Sequence, residues 1–526
     1  MQAHLVHQLI APSPPRKADA IAVKAGGQGL DYQTLHEQTL QAGSLFLACG
    51  LQRGERIAIY LEKRIATVAA LFGAATAGGV FVPLNPLLKP GQVSHILTDC
   101  NVKILVTSPE RLTLLRPVLL NCRDLHTVVL VGDQPVEAPV GIETVNWSQL
   151  DRVPPRHPHR IIDTDMAAIL YTSGSTGKPK GVVLSHRNLV AGAASVADYL
   201  ENHPGDRILA VLPLSFDYGL SQLTTAFHAG ACAVLLNYLL PRDVVLAAER
   251  ENITGLAAVP PLWIPLARLD WPDSIAGHLR YFTNSGGSMP AATLAALRGK
   301  LPNTKPYLMY GLTEAFRSTY LPPEELDRRP GSIGKAIPNA EIMVVRPDGT
   351  ACGPGEEGEL VHRGVHVSLG YWNDPERTAE RFKPTPGQAP GLTLPEIAVW
   401  SGDTVTMDED GFMYFVARRD DMIKTSGYRV SPSEVEEVVY AMPAVAEAAA
   451  VGVSHPVLGQ AVVVVAYCPA WDAATAELIL DECKRQLPGF MVPARVMPHA
   501  GPLPRTPNGK LDRKALAEGL LGLFDE

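Results

Sequence analysis

Short, strongly apolar runs alternate with helical stretches in the first third of the chain, and this alternation restricts the fold more than any other feature. Runs at 57–60, 103–107 and 127–131 have the length of buried strands, with Gly, Asp or Asn close by. The alanine-rich stretch 66–78 lies between the first two and predicts a closely packed helix. Strands alternating with helices are typical of an α/β fold with a largely parallel sheet.

The length and two changes in composition predict how the chain is divided. At about 150 residues per domain, 526 residues indicate several compact units. A Pro/Arg/His-rich stretch at 150–163 predicts a surface connection, and near residue 417 the pattern changes to a compact α+β one. We predict a large N-terminal body over 1–417, with mostly parallel sheets and helices, and a small mobile α+β lid over 418–526. We expect the lid pattern to comprise 416–420, a helix over 433–439 and a strand over 461–467.

Composition excludes several classes of protein. Lys and Arg total 46 against 54 Asp and Glu, a net charge of −8, which lacks the basic excess of a nucleic-acid-binding protein or a polybasic membrane anchor. No apolar run approaches the ~20 residues that span a bilayer, and residues 1–20 do not have the pattern of a secretory signal. The seven cysteines contain no C-x-x-C pair, so we expect neither a disulfide framework nor a zinc site. We expect a cytoplasmic enzyme.

A loop rich in glycine, hydroxyl and lysine side chains is the most informative stretch for function. Apolar runs enter it at 166–170 and leave it at 182–184, so we predict strand, loop and strand, followed by a helix over 189–199 that Ser185 caps. Glycines that turn sharply can present backbone N–H groups to a polyphosphate, with hydroxyl and ammonium donors beside them. The predicted donors are Thr172, Ser173, Gly174, Ser175, Thr176, Gly177 and Lys178, with Lys180 nearby. Pro179 and the spacing exclude a Walker A loop; a flexible surface hairpin is the alternative.

The stretch 171–182 resembles the signature of the AMP-forming adenylating superfamily, which includes acyl-CoA synthetases, peptide-synthetase adenylation domains and firefly-type luciferases. Further motifs of that superfamily follow in the expected order, at 310–314, 358–360, 370–372, 401–403, 418–429 and 507–512. The resemblance spans essentially the whole chain. It implies that a carboxylic acid and ATP form an acyl-adenylate and pyrophosphate, and that a thiol then forms a thioester and releases AMP.

The resemblance also implies roles for the nucleotide-site residues. Glu314, with the Thr313 hydroxyl beside it, matches the ligand of Mg²⁺, a cation that prefers oxygen donors. The remaining members of this group match contacts to the adenosine of ATP. Tyr310 and Gly311 belong to the adenine-stacking motif, Gly286, Gly287 and Ser288 resemble the segment that runs beside adenine, and Asp403 and Arg418 match the ribose contacts.

Four residues of the predicted lid match positions that serve the two half-reactions. Lys510 resembles the mobile lysine that contacts both carboxylate and phosphate during adenylation. Asp420 matches the hinge about which the lid rotates, and Lys424 and Gly427 would then line the path of a phosphopantetheine arm. One departure is Ala417, which stands where the superfamily usually has glycine before the arginine.

Asp217 is the predicted substrate-selecting residue. Many fatty-acid and aryl-acid ligases carry Phe-His in this segment, whereas Asp217 aligns with the aspartate that binds the α-ammonium group in amino-acid-activating domains. We therefore predict an amino acid or other amine-bearing acid as substrate, and CoA or the phosphopantetheine of a separate carrier protein as acceptor. A helix cap or a backbone contact is the alternative for Asp217. Two interpretations of Arg317 stay open, a site for a second carboxylate and an ion pair with a surface acid.

Other functions compete with this prediction. An ordinary acyl-CoA synthetase for a fatty or aryl acid is the main alternative. A luciferase-like oxidase shares every motif, and a non-catalytic nucleotide-binding relative is disfavoured because Glu314 and Lys510 are both present. The expected ligands are ATP, Mg²⁺ and a small carboxylic acid, with no nucleic acid and no membrane span.

Overall fold

A computed structural model describes residues 3–134, 136–172, 179–389, 391–418, 422–425, 428–455, 458–487, 489, 491–506 and 509–525, and only the backbone of 417, 418, 424, 428 and 429. Sheets and helices up to Arg418 form a large body, and those from residue 422 form a smaller C-terminal unit. This arrangement confirms the predicted α/β class with a small α+β unit at the C-terminal end.

The strands of the body occur throughout its length. They are β1 (Ile21–Ala25), β2 (Gln28–Asp31), β3 (Arg56–Tyr60), β4 (Val80–Pro83), β5 (Val102–Thr107), β6 (Thr127–Leu130), β7 (Glu143–Asn146), β8 (Met166–Thr172), β9 (Lys180–Ser185), β10 (Arg207–Ala210) and β11 (Cys232–Leu235). They continue with β12 (Gly255–Ala258), β13 (Tyr281–Asn284), β14 (Lys305–Tyr310), β15 (Thr319–Leu321), β16 (Ser332–Ala336), β17 (Ala340–Val345), β18 (Gly358–Gly364), β19 (Phe382–Pro384), β20 (Ile397–Met407) and β21 (Met413–Arg418).

The α-helices of the body cover its parallel sheets. They are α1 (Tyr32–Ala48), α2 (Ile65–Ala77), α3 (Pro90–Asp99), α4 (Pro109–Leu119), α5 (His186–Tyr199), α6 (Asp217–Ala229), α7 (Pro241–Arg250), α8 (Pro260–Arg268), α9 (Asp273–Ala276), α10 (Ala291–Lys300) and α11 (Pro375–Arg381). Short 3-10 turns occur at Val6–Ile10, Trp147–Arg152, Thr313–Ala315 and Pro323–Glu325.

Two sheets build the body. One has the strand order β7-β6-β5-β3-β4-β8-β9 and is parallel except for the β8–β9 hairpin. The other runs β2-β1-β11-β10-β12-β13-β14-β15-β16-β21-β20-β18-β17. It is parallel from β1 to β14 and antiparallel from β14 to β17. The parallel part places the carboxyl ends of neighbouring strands at one edge, where α/β proteins bind ligands.

The alanine-rich helix shows why the first half of the body packs so tightly. Every residue of α2 from Thr67 to Ala77 is buried, and it packs on α1. A Cβ atom added at Gly73 would lie 2.6 Å from the Cβ of Ala42, so only a residue without a side chain permits this helix spacing. The predicted alanine-rich helix and the two predicted strands on either side of the glycine loop are confirmed, whereas residues 173–178 of the loop lie outside the described residues. Ser185 caps α5, accepting from the Asn188 N–H group.

The C-terminal unit is a small sheet with helices packed on it. Its elements are β22 (Ile423–Thr425), β23 (Tyr428–Val430), α12 (Pro432–Tyr440), β24 (Glu447–His455), β25 (Gly459–Tyr467), α13 (Thr475–Gln486), β26 (Arg495–Pro498) and α14 (Arg513–Glu518). The strand order is β23-β22-β25-β24, and β26 pairs with β25. Among the described residues, hydrogen bonds join the unit to the body: Arg268 Nη2 donates to Val445 O (2.8 Å), and the Ala291 N–H donates to Glu437 Oε1 (2.9 Å).

One sequence expectation about this unit is wrong. The strand pattern that begins at Val416 belongs to β21, which pairs antiparallel with β20 in the sheet of the body, with Asp403 opposite Arg418. A strand pattern shows that a segment pairs with some sheet, but it does not show which sheet supplies the partner. Asp420 lies outside the described residues.

Candidate active site

The predicted site residues converge at the carboxyl edge of the parallel part of the larger sheet. β13 and β14 run parallel, so Gly286, which follows β13, and Tyr310, the last residue of β14, lie at the same edge. Asp217 begins α6, which packs under the same sheet against β10 and β11. This crevice is where an α/β sheet of this kind holds a ligand.

Glu314 lies at the centre of a compact group of charged and hydroxyl side chains. Its Oε1 atom accepts a hydrogen bond from Lys180 Nζ (2.9 Å) and another from the Tyr371 hydroxyl (2.7 Å). Lys180 Nζ also donates to the Tyr371 hydroxyl at 2.8 Å. The first residue of β9 therefore meets the 3-10 turn after β14 and fixes the orientation of the carboxylate.

This group holds Glu314 ionised. Burial by itself would raise the pKa of Glu314, but the charge of Lys180 and the hydrogen bonds from Tyr371 and Lys180 lower it to about 2. An ionised carboxylate with the Thr313 hydroxyl beside it offers hard oxygen donors, which suit Mg²⁺ bound mainly through phosphates and one carboxylate. The described residues contain no group of three or more His, Cys, Asp or Glu side chains able to hold a metal ion alone. The donor set thus fits a magnesium ion that accompanies a nucleotide.

Tyr310 and Asp403, the predicted adenine and ribose contacts, lie against each other. The Tyr310 hydroxyl donates to Asp403 Oδ2 at 2.5 Å, and the Asp403 N–H donates to the Ser401 hydroxyl at 3.0 Å. In the β20–β21 ladder Arg418 is the residue opposite Asp403, so the backbone brings both predicted ribose contacts to one place. Asp403 is buried, and the hydrogen bond from the Tyr310 hydroxyl fixes the orientation of its carboxylate.

Lys510 reaches this crevice from the C-terminal unit. A Cβ atom added at Gly286 would lie 3.9 Å from Lys510 Cε and 3.6 Å from Phe216 Cζ. Gly286 has φ = +79°, a left-handed conformation that favours glycine, so its lack of a side chain serves both the turn and the approach of the lysine. The charge of Lys510 also lowers the pKa of Asp217. The predicted mobile lysine therefore lies beside Gly286 at the edge of the crevice, and it is exposed there.

The described residues on either side of Lys510 are fixed to the sheet of the C-terminal unit. The Thr506 N–H donates to Lys510 O (2.8 Å), and Arg505 pairs with Leu511 as an antiparallel bridge. Arg505 Nη2 lies 2.7 Å from Glu447 Oε1 at the start of β24. Because its neighbours are fixed in this way, Lys510 should move together with the whole C-terminal unit.

Asp217 has a partner that sequence reasoning did not identify. Arg317 Nη1 lies 3.5 Å from Asp217 Oδ2, and both side chains are almost completely buried, with exposed fractions of 3% and 5%. Burial raises the pKa of Asp217, whereas the charges of Arg317 and Lys510 and a backbone contact at Tyr218 lower it; the net direction is upward. Of the two interpretations of Arg317, an ion pair is observed, but with a buried acid rather than a surface acid.

An unusual backbone conformation directs Arg317 inward. Phe316 has φ = +53°, which is uncommon for a residue with a bulky side chain and marks local strain. Its ring packs over α5 at Gly192, where an added Cβ would lie 2.4 Å from the ring. The Arg317 guanidinium then stacks 4.7 Å from the centre of the Tyr218 ring. The strained turn and the glycine on α5 together place this arginine in the site.

Some predicted residues cannot be placed. Ser173, Gly174, Ser175, Thr176, Gly177, Lys178, Asp420 and Gly427 lie outside the described residues, and for Arg418 and Lys424 only the backbone is described. Thr172 ends β8, and its hydroxyl is buried with no hydrogen-bond partner in the described part of the chain. Gly287 and Ser288 are exposed on the turn after β13. The predicted phosphate loop therefore stays a prediction.

Sequence reasoning missed two roles. Lys180 was assigned to the phosphate loop only, and the 370–372 motif was noted without a function for Tyr371. In the structure both side chains contact Glu314. The motifs that contain Lys180 and Tyr371 were the only signal in the sequence. They did not reveal the contacts with Glu314, because the two residues lie 134 and 57 positions away from it.

Among the described residues, no helix is long and apolar enough to cross a membrane.

Comparisons with known proteins agree along almost the whole chain. A family model described as "AMP-binding enzyme" matches residues 11–372, and a second, "AMP-binding enzyme C-terminal domain", matches 434–510. The long-chain-fatty-acid–CoA ligase of Salmonella typhimurium is 30% identical over 555 aligned positions, covering 98% of this chain and 95% of that protein. The L-proline–[L-prolyl-carrier protein] ligase of Pseudomonas fluorescens is 31% identical over 529 positions, covering 98% of this chain and 100% of that protein.

A solved structure gives the same match in three dimensions. The O-succinylbenzoate coenzyme A synthetase of Bacillus subtilis, in complex with ATP and a magnesium ion, superimposes with a TM-score of 0.80 at 26% identity. The match covers 97% of this chain and 98% of that one.

Proposed function

From the premise that this chain belongs to the AMP-binding enzyme family, we propose that it adenylates an amine-bearing carboxylic acid and transfers it to a phosphopantetheine thiol. Membership confirms the family predicted from the motifs and makes the chain an ATP-dependent, AMP-forming acid ligase. The observation that carries the proposal is the position of Lys510 beside Gly286, within reach of the crevice that contains Asp217 and Glu314.

The first half-reaction brings two anions together. A carboxylate oxygen of the acid attacks the α-phosphorus of ATP, the bond to the bridging oxygen breaks, and pyrophosphate leaves. Positive charge placed before the reaction stabilises the transition state most effectively. Lys510 supplies that charge from the C-terminal unit, and Lys180 holds Glu314 ionised and oriented. A magnesium ion held by Glu314 and the phosphates would neutralise further negative charge.

Residues at the carboxyl edge of the larger sheet would position the nucleotide. Tyr310 presents its ring while its hydroxyl holds Asp403, and a carboxylate accepts hydrogen bonds from two ribose hydroxyls. The backbone after β13, at Gly286 and Gly287, allows close approach of a flat base. Positioning of this kind removes the entropy cost of the encounter from the chemical step.

The nature of the acid is argued from Asp217. A buried carboxylate with a raised pKa gains most from a cationic partner, and a substrate ammonium group beside it would supply one. One relative is named as a ligase that loads proline onto a carrier protein, which agrees with an amine-bearing acid and a carrier thiol. The acceptor would be the phosphopantetheine of a carrier protein, or CoA.

An ordinary acyl-CoA ligase for a fatty or aryl acid is the second candidate. The observation in its favour is the Asp217–Arg317 pair, because a side chain of this protein already compensates the carboxylate. Another relative is named a long-chain-fatty-acid–CoA ligase. Against a long alkyl chain stands the small size of the cavity beside Arg317, which has a volume of only about 20 Å³.

The second half-reaction requires a different face of the C-terminal unit. After adenylation, a thiolate attacks the acyl carbonyl and AMP leaves, so Lys510 must give way to the acceptor arm. We retain the division at 417/418, with Asp420 as hinge and Lys424 and Gly427 beside the acceptor, as part of the proposal. The change of sheet from β21 to β22 supports a division close to that position, although Arg418 itself still pairs in the sheet of the body. Rotation about a few residues is an established mode of domain switching.

The test separates the two half-reactions. Lys510→Ala should lower acid-dependent ATP–pyrophosphate exchange by about a hundredfold or more, because it removes a charge at the reacting phosphorus. Thioester formation from supplied acyl-adenylate should persist. Lys484→Ala, on the exposed face of α13, is the matched control and should leave both rates unchanged. Equal loss of both half-reactions in folded Lys510→Ala would contradict the two-state assignment.

A further inference from the structure

The guanidinium of Arg317 has hydrogen-bonding capacity that the rest of the described protein does not use. Its Nη1 atom faces Asp217 at 3.5 Å, at the limit of a hydrogen bond. Its Nε and Nη2 atoms are buried and have no hydrogen-bond partner among the described residues. Arg317 as a whole is 2% exposed. Buried donors without partners are rare and destabilising, so the Nε and Nη2 atoms of Arg317 point to a ligand that accepts their hydrogen bonds.

The two unused nitrogens lie on one edge of the guanidinium plane. Nε–H and the nearer N–H of Nη2 point the same way, which is the fork that binds a carboxylate through two parallel hydrogen bonds. The stacking on Tyr218 and the fixed turn at Phe316 leave this edge in a defined orientation. An edge held in this way recognises a planar anion better than a single point charge would.

Arg317 lines a small cavity beside Tyr218. The cavity has a volume of about 20 Å³, and its wall is mainly apolar, with Val196, Leu200, Ile208, Ala257 and Met309 beside the polar side chains of Ser221, Gln222, Thr225 and Thr283. A space of this size holds about one water molecule or one small polar group, and not an alkyl chain. The Tyr218 hydroxyl and Thr283 Oγ1 lie 2.5 Å apart, so the wall there is closed by a hydrogen bond.

We propose that the Nε/Nη2 edge of Arg317 binds a second carboxylate of the acyl substrate, so that the enzyme activates a compact dicarboxylic acid. The inference rests on the proposed adenylation and narrows its substrate class. The reacting carboxylate lies near Lys510, and the second one lies at the inner end of the pocket. A hydrocarbon tail at that end would leave both nitrogens without partners.

Asp217 is compatible with this arrangement. Its contact with Arg317 is long and uses Nη1 alone, so the Nε/Nη2 edge of the guanidinium is left for the substrate. If the substrate also carries an ammonium group, Asp217 is its partner, and the acid is then an amino dicarboxylic acid. The contribution of the second carboxylate is separate from that of the amine, so a matched set of acids can measure each.

The experiment measures ATP–pyrophosphate exchange with butanoate, 2-aminobutanoate, succinate and aspartate, and with the corresponding five-carbon acids. Within each set, chain length is constant while the amine and the second carboxylate vary independently. We expect kcat/KM for the dicarboxylic acid to exceed that of its matched monocarboxylic acid by at least about tenfold, since a bidentate charged contact is gained. This ratio should be similar with and without the amine.

Variants of Arg317 test the assignment to the fork. Arg317→Gln should abolish the preference for the second carboxylate while the matched monocarboxylic acid keeps its kcat/KM or gains. Arg317→Lys keeps a charge without the fork and should lose most of the preference. Arg298→Gln, which removes an arginine from the exposed pair with Asp327, is the control and should retain the wild-type ratio.

The outcomes are distinguishable. Wild-type enzyme that prefers the monocarboxylic acids, or variants that lose both classes equally, would overturn the proposal and leave Arg317 as a structural partner of Asp217. Exchange with proline, benzoate or hexanoate but not with any dicarboxylic acid would overturn it while the ligase function stands. No exchange with any acid would refute the proposed function itself. If Arg317→Gln does not fold, the wild-type panel and Arg317→Lys still decide the question.

Discussion

Two carboxylates of the same crevice, the partly buried Glu314 and the buried Asp217, lie beside basic side chains of this chain and have opposite shifts in pKa. The pKa of Glu314 is lowered to about 2, whereas that of Asp217 is raised. Glu314 meets Lys180 at 2.9 Å and also accepts a hydrogen bond from Tyr371. Asp217 meets Arg317 at 3.5 Å.

The difference shows that a basic neighbour alone does not decide the state of a buried acid. Short, well-directed hydrogen bonds outweigh desolvation at Glu314, and a long contact fails to do so at Asp217. In the proposed function, the ionised Glu314 would serve the metal ion and the phosphates, which are the same in every turnover. Asp217, which is incompletely compensated, would face the acid, and there a ligand could supply the charge that the protein does not.

The largest expected effect comes from removing the charge of Glu314. Glu314→Gln keeps the shape but removes the charge that a magnesium ion would require, so pyrophosphate exchange should fall by about 100- to 1,000-fold for every acid. The rate should recover only partly at high magnesium concentration. Steady-state exchange across a magnesium titration measures this.

The control for that change is Glu324→Gln, an exposed glutamate on the 3-10 turn Pro323–Glu325, which should leave exchange unaltered. A Glu314→Gln enzyme with wild-type exchange would show that the carboxylate is only a structural partner of Lys180.

A smaller and more selective effect is expected at Asp217. Asp217→Asn should lower kcat/KM for an amine-bearing acid by about tenfold to a hundredfold, because a charge-assisted hydrogen bond of roughly 1.5–3 kcal/mol is lost. The matched acid without the amine should change little. Exchange measured with 2-aminobutanoate and butanoate gives the ratio directly.

Asp198→Asn, at an exposed position of α5, is the control for the Asp217 change. If Asp217→Asn affects both acids to the same degree, the aspartate serves Arg317 and not the substrate, and the ordinary acyl-CoA ligase becomes the better description.

The smallest expected effect is in stability against pH. Glu314 has a pKa below its ordinary value of 4.5, so it contributes stability that is complete above 4.5 and is lost as pH falls through about 2. Between pH 7 and pH 4 the free energy of unfolding of the wild type should therefore fall relative to Glu314→Gln by roughly 1 kcal/mol.

Asp217 should give the opposite slope. An acid whose pKa is raised by folding costs stability when ionised, and the cost disappears as pH falls through the raised value. The wild type should gain relative to Asp217→Asn over the same interval. Urea unfolding at pH 7 and pH 4 measures both differences, and slopes of the same sign would show that the two carboxylates are not in opposite states.

Local patterns predicted much of the fold. The helix α2, the β8–β9 hairpin and the cap of α5 at Ser185 depend on residues close together in sequence, where spacing and capping chemistry act directly. The strand at Val416 was assigned to the wrong sheet because its partner, β20, is specified by tertiary packing and not by its own residues.

The sequence motifs predicted individual residues of the site but not the contacts between them. Glu314, Tyr310, Asp403 and Lys510 do lie around one crevice. The pairings between them and other side chains could not be inferred, because Arg317 lies 100 positions from Asp217 and many distant acids could have served it. Whether a buried acid is ionised depends on tenths of an ångström in such contacts, which a sequence does not encode in any local pattern.

The contact between the Phe316 ring and Gly192 affects how substitutions can change the specificity of this protein. Arg317 faces inward because its neighbour's ring occupies the space that a side chain on α5 would otherwise fill. A new methyl group at position 192 would displace that ring and re-aim the arginine, although position 192 itself does not line the cavity. Given the proposed role of Arg317, a substitution on α5 would then alter which acids are accepted without changing the catalytic groups.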